Sequence, residues 1–256
     1  MQGGAQSHLM ICSDSNCWVV KFTNNPQHIR ILANEHLATR LARLIGLTVP
    51  QPGVVHVPKL LIEQSPELRV TLAHITLPCA AGWQYGSRYV GGIMPGQVMD
   101  YLPDKQLMEI RNLAEFAGML AFDLWTSNKD RRQAVYFRNA RERIYTASFI
   151  DQGFCFSGGS WRFEDSPLKG MFPRTLVYRN VIGWSDFEPW LSRIEEFEPT
   201  VLWKIAKDIP GEWYDDNFPA LSSLLEGLFQ RRLLVRSLIH GICSSRTELF
   251  PKWIQS

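Results

Sequence analysis

Two aspartates in a fixed order constrain this chain most. The first lies in Trp125-Thr126-Ser127-Asn128-Lys129-Asp130-Arg131-Arg132, directly after a helix-like apolar stretch. The second lies in Ser148-Phe149-Ile150-Asp151-Gln152-Gly153-Phe154, at the end of a strand-like run where a glycine lets the backbone turn. Such a pair suits phosphoryl transfer, in which one carboxylate orients the proton of an attacking hydroxyl and the other holds the magnesium that bridges nucleotide phosphates. An Asp-x-Gly alone carries little weight, because about one is expected by accident in a chain of this length. The weight comes from what precedes it.

Upstream, Gly3-Gly4-Ala5-Gln6-Ser7 is a small, flexible stretch whose N–H groups can wrap phosphate oxygens without side chains in the way. Cys17-Trp18-Val19-Val20-Lys21-Phe22 follows, β-branched and aromatic, and contains a single lysine near its end. Asn25-Pro26 reads as N-cap and first helical position of a helix through Ile29, Ala33, Leu37, Leu41 and Leu44, stopped by Gly46 and Pro50. Glu35 falls within it, beside the apolar stripe. In a kinase, a helix glutamate there pairs the strand lysine and sets it against the phosphates.

Taken together, Gly-Gly-Ala-Gln-Ser, Val-Val-Lys-Phe, Asn-Glu-His-Leu-Ala, Leu-Ile-Gly-Leu-Thr-Val-Pro, Asn-Lys-Asp-Arg and Phe-Ile-Asp-Gln-Gly resemble the HipA-like kinase domain family. This bacterial branch has a protein-kinase-like fold and is distantly similar to the phosphatidylinositol kinases. Ile209-Pro210-Gly211-Glu212-Trp213 and Leu228-Phe229-Gln230-Arg231-Arg232 extend the resemblance along nearly the whole chain. It implies a two-lobed α+β fold: a small β-rich nucleotide-binding lobe over 1–90 and a larger helical catalytic lobe over 91–256. It also implies ATP and Mg2+ as cofactors. Residues 3–7 would cover the phosphates, Lys21 contact them, Glu35 pair Lys21, Asp130 act as catalytic base and Asp151 bind metal. The implied acceptor is a Ser or Thr hydroxyl on a protein partner.

One position departs from the pattern. Where such kinases carry an asparagine for a second metal ion, five residues after the catalytic aspartate, this chain has Val135. Gln133 or Asn128 could offer an amide oxygen instead. A pseudokinase that binds nucleotide and acts as an interaction module stays open, as does a kinase of a lipid or other small molecule, whose pocket Arg131 and Arg132 would rim.

Composition agrees with a folded enzyme. The chain has 256 residues, 45% hydrophobic and 12% aromatic, ample for a buried core. A net charge of +2 with scattered basic residues gives no footprint for nucleic acid. Arg231-Arg232 reads as a solvated helix face. The cysteines Cys12, Cys17, Cys79, Cys155 and Cys243 are odd in number and lack a Cys-x-x-Cys, which argues against zinc and a disulfide framework. With no signal peptide and no apolar run near the roughly 18 residues that cross a bilayer, the expectation is a reducing cytoplasm. Gly3 follows only Met1-Gln2, so either a segment precedes this chain or the lobe uses fewer strands.

The coarse pattern predicts a hairpin over 8–24, the long helix over 26–45, strands at 54–57, 60–62 and 70–75, and an irregular Gly/Pro-rich connection over 78–103 where an adenine would lie. It continues with a helix over 106–125, a strand over 145–150, a loop from Gly158, and helices from Ser185 onward.

Overall fold

The computed structural model describes residues 4–163 and 170–254. β1 (His8–Ile11) and β2 (Cys17–Lys21) form the expected hairpin, whose turn is held by Asp14 accepting the Asn16 N–H at 3.0 Å and the Trp18 indole N–H at 3.1 Å. With β3 (Pro52–Val57) and β6 (Gly82–Arg88) they make an antiparallel sheet of order β1-β2-β6-β3. Between β3 and β6 lie the short helix α2 (Lys59–Gln64) and the hairpin of β4 (Arg69–Leu72) and β5 (Ile75–Pro78).

Three expectations change here. The run at 60–62 is helical and 70–75 spans a hairpin, since short apolar runs do not separate helix from strand. Residues 82–88, read as irregular for their glycines, are an interior strand. Their glycines serve packing: Gly86 pairs Gly53 across β3 and β6, and a Cβ there would lie 2.8 Å from the Trp18 ring at Gly53 and 2.6 Å from Val55 at Gly86. Bare backbone lets the indole lie against the sheet.

Side-chain alternation along β2 then sorts function from core. Trp18 and Val20 enter a small core with Phe22, Val57, Leu68, Val70 and Cys79, while Val19 and Lys21 face the other way.

The long helix α1 spans Arg30–Leu44, later than expected. Asn25 does not cap it. Its Oδ1 accepts the Gln27 N–H at 2.9 Å and its Nδ2 donates to the Phe22 carbonyl at 2.8 Å, so it builds a turn that ties the chain to β2. The expected stop holds: Gly46 has φ +90° and donates to Arg43 O, and Leu47 donates to Ala42 O. Those two bonds satisfy carbonyls that the helix end leaves open.

Beyond the sheet, β7 (Val98–Met99), β8 (Gln133–Phe137) and β9 (Thr146–Ile150) form a second antiparallel sheet. The helix expected over 106–125 is two, α3 (Asp104–Met108) and α4 (Glu115–Trp125). Asn112, between them, exchanges hydrogen bonds with the Ala147 backbone at 2.8 and 2.9 Å, which a helical continuation would forgo. Helices α5 (Trp190–Glu195), α6 (Pro199–Ala206), α7 (Phe218–Arg231) and α8 (Val235–Ser245) complete the chain. Leu37 and Leu41 of α1 belong to the larger core these helices form with Phe116, Trp125 and Trp213. Trp83, by contrast, is 48% exposed. Arg231, expected on a solvated face, is buried and donates to the Leu124 carbonyl at 3.0 Å. No helix among the described residues is long and apolar enough to cross a membrane.

Candidate active site

Lys21, Glu35 and Asp151 meet although they lie far apart in sequence. The Lys21 ammonium forms an ion pair with Glu35 Oε1 and stands 2.9 Å from Asp151 Oδ1. Each side chain arrives on a different element: the cleft face of β2, the middle of α1, and the turn after β9. Glu35 also accepts the Gln152 N–H on Oε2 at 3.0 Å, so one carboxylate holds both the lysine and the Asp151 turn.

That turn depends on two backbone features. Asp151 itself takes φ +63°, a conformation tolerated by Asp. Gly153, expected to let the backbone turn, instead lets α1 approach: a Cβ there would sit 2.6 Å from Ile31 Cγ2. Asn34, one position before Glu35 on α1, donates to the carbonyls of Gly153, Cys155 and Gly158 at 2.8 to 3.0 Å and accepts the Trp161 indole N–H at 2.7 Å. Sequence reasoning missed Asn34, whose mid-helix polar side chain on a buried face was the available signal.

Electrostatics follow from burial and proximity. Burial opposes the Lys21 charge, but Glu35 and Asp151 hold the ammonium above its ordinary value. Burial likewise works against ionised Asp151, yet Lys21, with Arg132 behind it, keeps this carboxyl below the usual carboxylate range. Glu35, more deeply enclosed, is pushed up by burial despite the lysine. An ammonium has three N–H donors. Two are engaged here, which leaves one for a phosphate oxygen.

Asp130 sits in the loop after α4, half-buried, with its N–H on Asn128 Oδ1 at 3.1 Å and its Oδ1 accepting the Arg131 N–H at 2.7 Å. Arg132 departs from the sequence reading. It is not on the rim but 1% exposed, binding Asp123 through two N–H groups and donating to the Ile150 carbonyl at 3.0 Å and the Asp151 carbonyl at 3.3 Å. Asp123 also accepts from Asn128 Nδ2 at 2.9 Å. Asn128, offered as a metal ligand, thus spends both ends of its amide inside the protein. Asp123 was overlooked because an isolated Asp in an apolar helix carries no motif.

A cleft gathers Lys21, Glu35 and Asp151, while Asp130 is not among the residues that line it. Gly4, Ala5, Ser7, Val19, Lys21, Glu35, Tyr85, Ser87, Tyr89 and Val90 line it together with Gln133, Val135, Ile150 and Asp151. Gly3 lies outside the described residues. Gln6 turns its side chain away, exchanging two 2.7 Å hydrogen bonds with the Thr71 backbone, so among the described residues of the glycine-rich stretch Gly4, Ala5 and Ser7 line the cleft. Gln133 does face it, donating from Nε2 to Asp151 Oδ2 at 2.9 Å.

The family model described as HipA-like kinase matches residues 1–141, more than half of the chain. The chain belongs to the HipA-like kinase family. Its class of chemistry is accordingly kinase-type phosphotransfer. Solved kinase-like structures share the fold. The hydra Fam20 structure with sugar aligns at TM-score 0.56 and 14% identity over 97% of this chain and 84% of that one. The Golgi casein kinase with Mn/ADP bound aligns at TM-score 0.54 and 16% identity over 96% and 72%. No curated protein sequence matches the chain. In this HipA-like kinase the Lys21, Glu35 and Asp151 cluster lies in the cleft lined by β2, α1 and β6 and by β8 and β9 of the second sheet, and the Asp130 loop follows α4.

Proposed function

We propose that this HipA-like kinase transfers the terminal phosphoryl group of ATP to a Ser or Thr hydroxyl of a protein, with Mg2+ as its metal. The observation that carries the reading is Lys21 held between Glu35 and Asp151 in a cleft lined in part by small residues. Lys21 offers its remaining N–H to phosphate, and Gly4, Ala5 and Ser7 line the same cleft. Tyr89, Val90, Val98 and Ile150 provide an apolar end for the base. The cleft measures about 160 Å³, below the roughly 300–1,000 Å³ of common ligand sites.

The donor set fits magnesium. Asp151 presents a carboxylate and Gln133 an amide beside it, and among the described residues no group of three His, Cys, Asp or Glu forms a protein-only cage. Mg2+ is commonly held by one or two carboxylates together with substrate phosphates, and when bound it neutralises developing phosphate charge. Asp151 and Gln133 would hold it. Asp130 would orient the acceptor hydroxyl and take its proton. In this division residues 1–90 bind nucleotide and 91–256 carry catalysis, in a reducing cytoplasm that suits five free thiols.

Val135 lines the cleft and offers no metal ligand, which favours a second reading as a nucleotide-binding pseudokinase. Incubating the protein and candidate acceptors with radiolabelled Mg-ATP, followed by mass spectrometry, separates the two. Label on a Ser or Thr, lost in Asp130→Ala with ATP binding retained, supports the enzyme. Nucleotide binding without transfer to any acceptor supports the pseudokinase.

A further inference from the structure

A second cleft, of about 760 Å³, opens on another face of α1 and does not share its walls with the Lys21 site. α1 contributes His36, Arg40, Arg43 and Leu44 to it, the start of β3 adds Pro52 and Val54, and α6 adds Val201, Lys204 and Ile205. Its volume falls within the roughly 300–1,000 Å³ typical of small-molecule sites. Its lining combines apolar side chains with cationic ones.

The lining has an excess of positive charge. Arg40 is taken up by Asp208, 2.7 Å away. Arg43 donates only to a neutral acceptor, the Val49 carbonyl at 3.3 Å, and among the described residues neither Arg43 nor Lys204 has a carboxylate partner. Each lies in the last turn of its helix, whose end carries about half a negative charge. Two half-charges offset only part of two full cations. His36 closes the inner wall, 4% exposed, its ring edge-on to Tyr85 and Trp213. Arg40 donates toward His36 Nε2 at 3.3 Å, which places the ring proton on Nδ1, and that buried N–H has no acceptor among the described residues.

We propose that this cleft binds a small molecule with an anionic head and an apolar body: the head between Arg43 and Lys204, the body on Leu44, Pro52, Val54 and Ile205. The head is a phosphate or a carboxylate, both of which accept charge-assisted hydrogen bonds from Arg and Lys. The inference is independent of the nucleotide reading, since no residue of the Lys21 cleft takes part.

The test uses the full chain, 15N-labelled, titrated with 4-fluorophenyl phosphate, 4-fluorobenzoate and uncharged 4-fluorophenol. We expect at least one anionic probe to shift amides over 36–44, 51–54 and 201–208, with 4-fluorophenol binding more weakly. The tighter of the two anionic probes identifies the head. Arg43 and Lys204 are exposed, so an Arg43→Gln/Lys204→Gln variant should keep the wild-type spectrum elsewhere while binding roughly tenfold more weakly. Shifts centred on 19–21 and 85–90, equal binding of the phenol, undiminished binding by the double variant, or no binding of either anion would each overturn the proposal.

Discussion

Arg132 grips Asp123 through two N–H groups, and both side chains are 1% exposed. Arg132 also donates to the carbonyls of Ile150 and Asp151, and Asp123 accepts from Asn128. One buried pair therefore ties the Asp130 loop to the Asp151 turn, fixing two carboxylates from different elements relative to each other.

Removing one half of this pair leaves a charge in the core. Arg132→Leu should lower stability by about 3–5 kcal/mol, read as a lower urea midpoint with unchanged slope. Asp123→Leu/Arg132→Leu should recover part of that loss, because no charge is then stranded. A single variant within about 0.5 kcal/mol of wild type would show that water reaches the site.

Lys21→Met should reduce phosphoryl transfer by roughly 10²-fold or more, as expected when a donor aimed at developing phosphate charge is lost. Single-turnover transfer of labelled phosphate is the measurement. Unchanged transfer would remove Lys21 from the mechanism.

Asp151→Asn tests the metal site. In wild type, magnesium should increase the thermal stabilisation given by ATP, since ligand binding to the native state raises apparent stability by mass action. In the variant that increment should vanish. Equal increments would place the metal elsewhere.

Gln133 stands beside Asp151 where Val135 cannot serve. Gln133→Ala should raise the magnesium concentration needed for half-maximal transfer, with little change in ATP binding without metal. A wild-type magnesium titration would end the idea that this amide compensates for Val135.

His36 sets a pH dependence. Burial first, and the Arg40 charge second, pull its pKa from 6.5 down to about 4. The unfolded chain then binds a proton between those values that the folded protein refuses, so stability falls as pH drops through this window. The contribution is about 3 kcal/mol between pH 7 and pH 4. His36→Phe, which can keep the packing on Tyr85 and Trp213, should flatten the acid side of the stability profile by that amount. Parallel profiles for the two proteins would show that His36 is protonated at little cost in the fold.

The sequence by itself determined the order of the parts. The strand with Lys21, the helix with Glu35, the Asp130 loop and the Asp151 turn are local patterns of period, turn residues and spacing, and such patterns survive without knowledge of the rest of the chain. Tertiary structure decided what each part touches. Val19 and Lys21 face the cleft because β2 pairs between β1 and β6, a placement hidden by the glycines of 82–88. Gln6 and Asn128 have the right chemistry, but Gln6 spends its amide on the Thr71 backbone, and Asn128 spends its Nδ2 on Asp123 and its Oδ1 on the Asp130 N–H. Arg132 changed from a rim residue to a core clamp for the same reason: its partner lies nine positions back on α4, and only packing excludes the water that would otherwise compete for both charges.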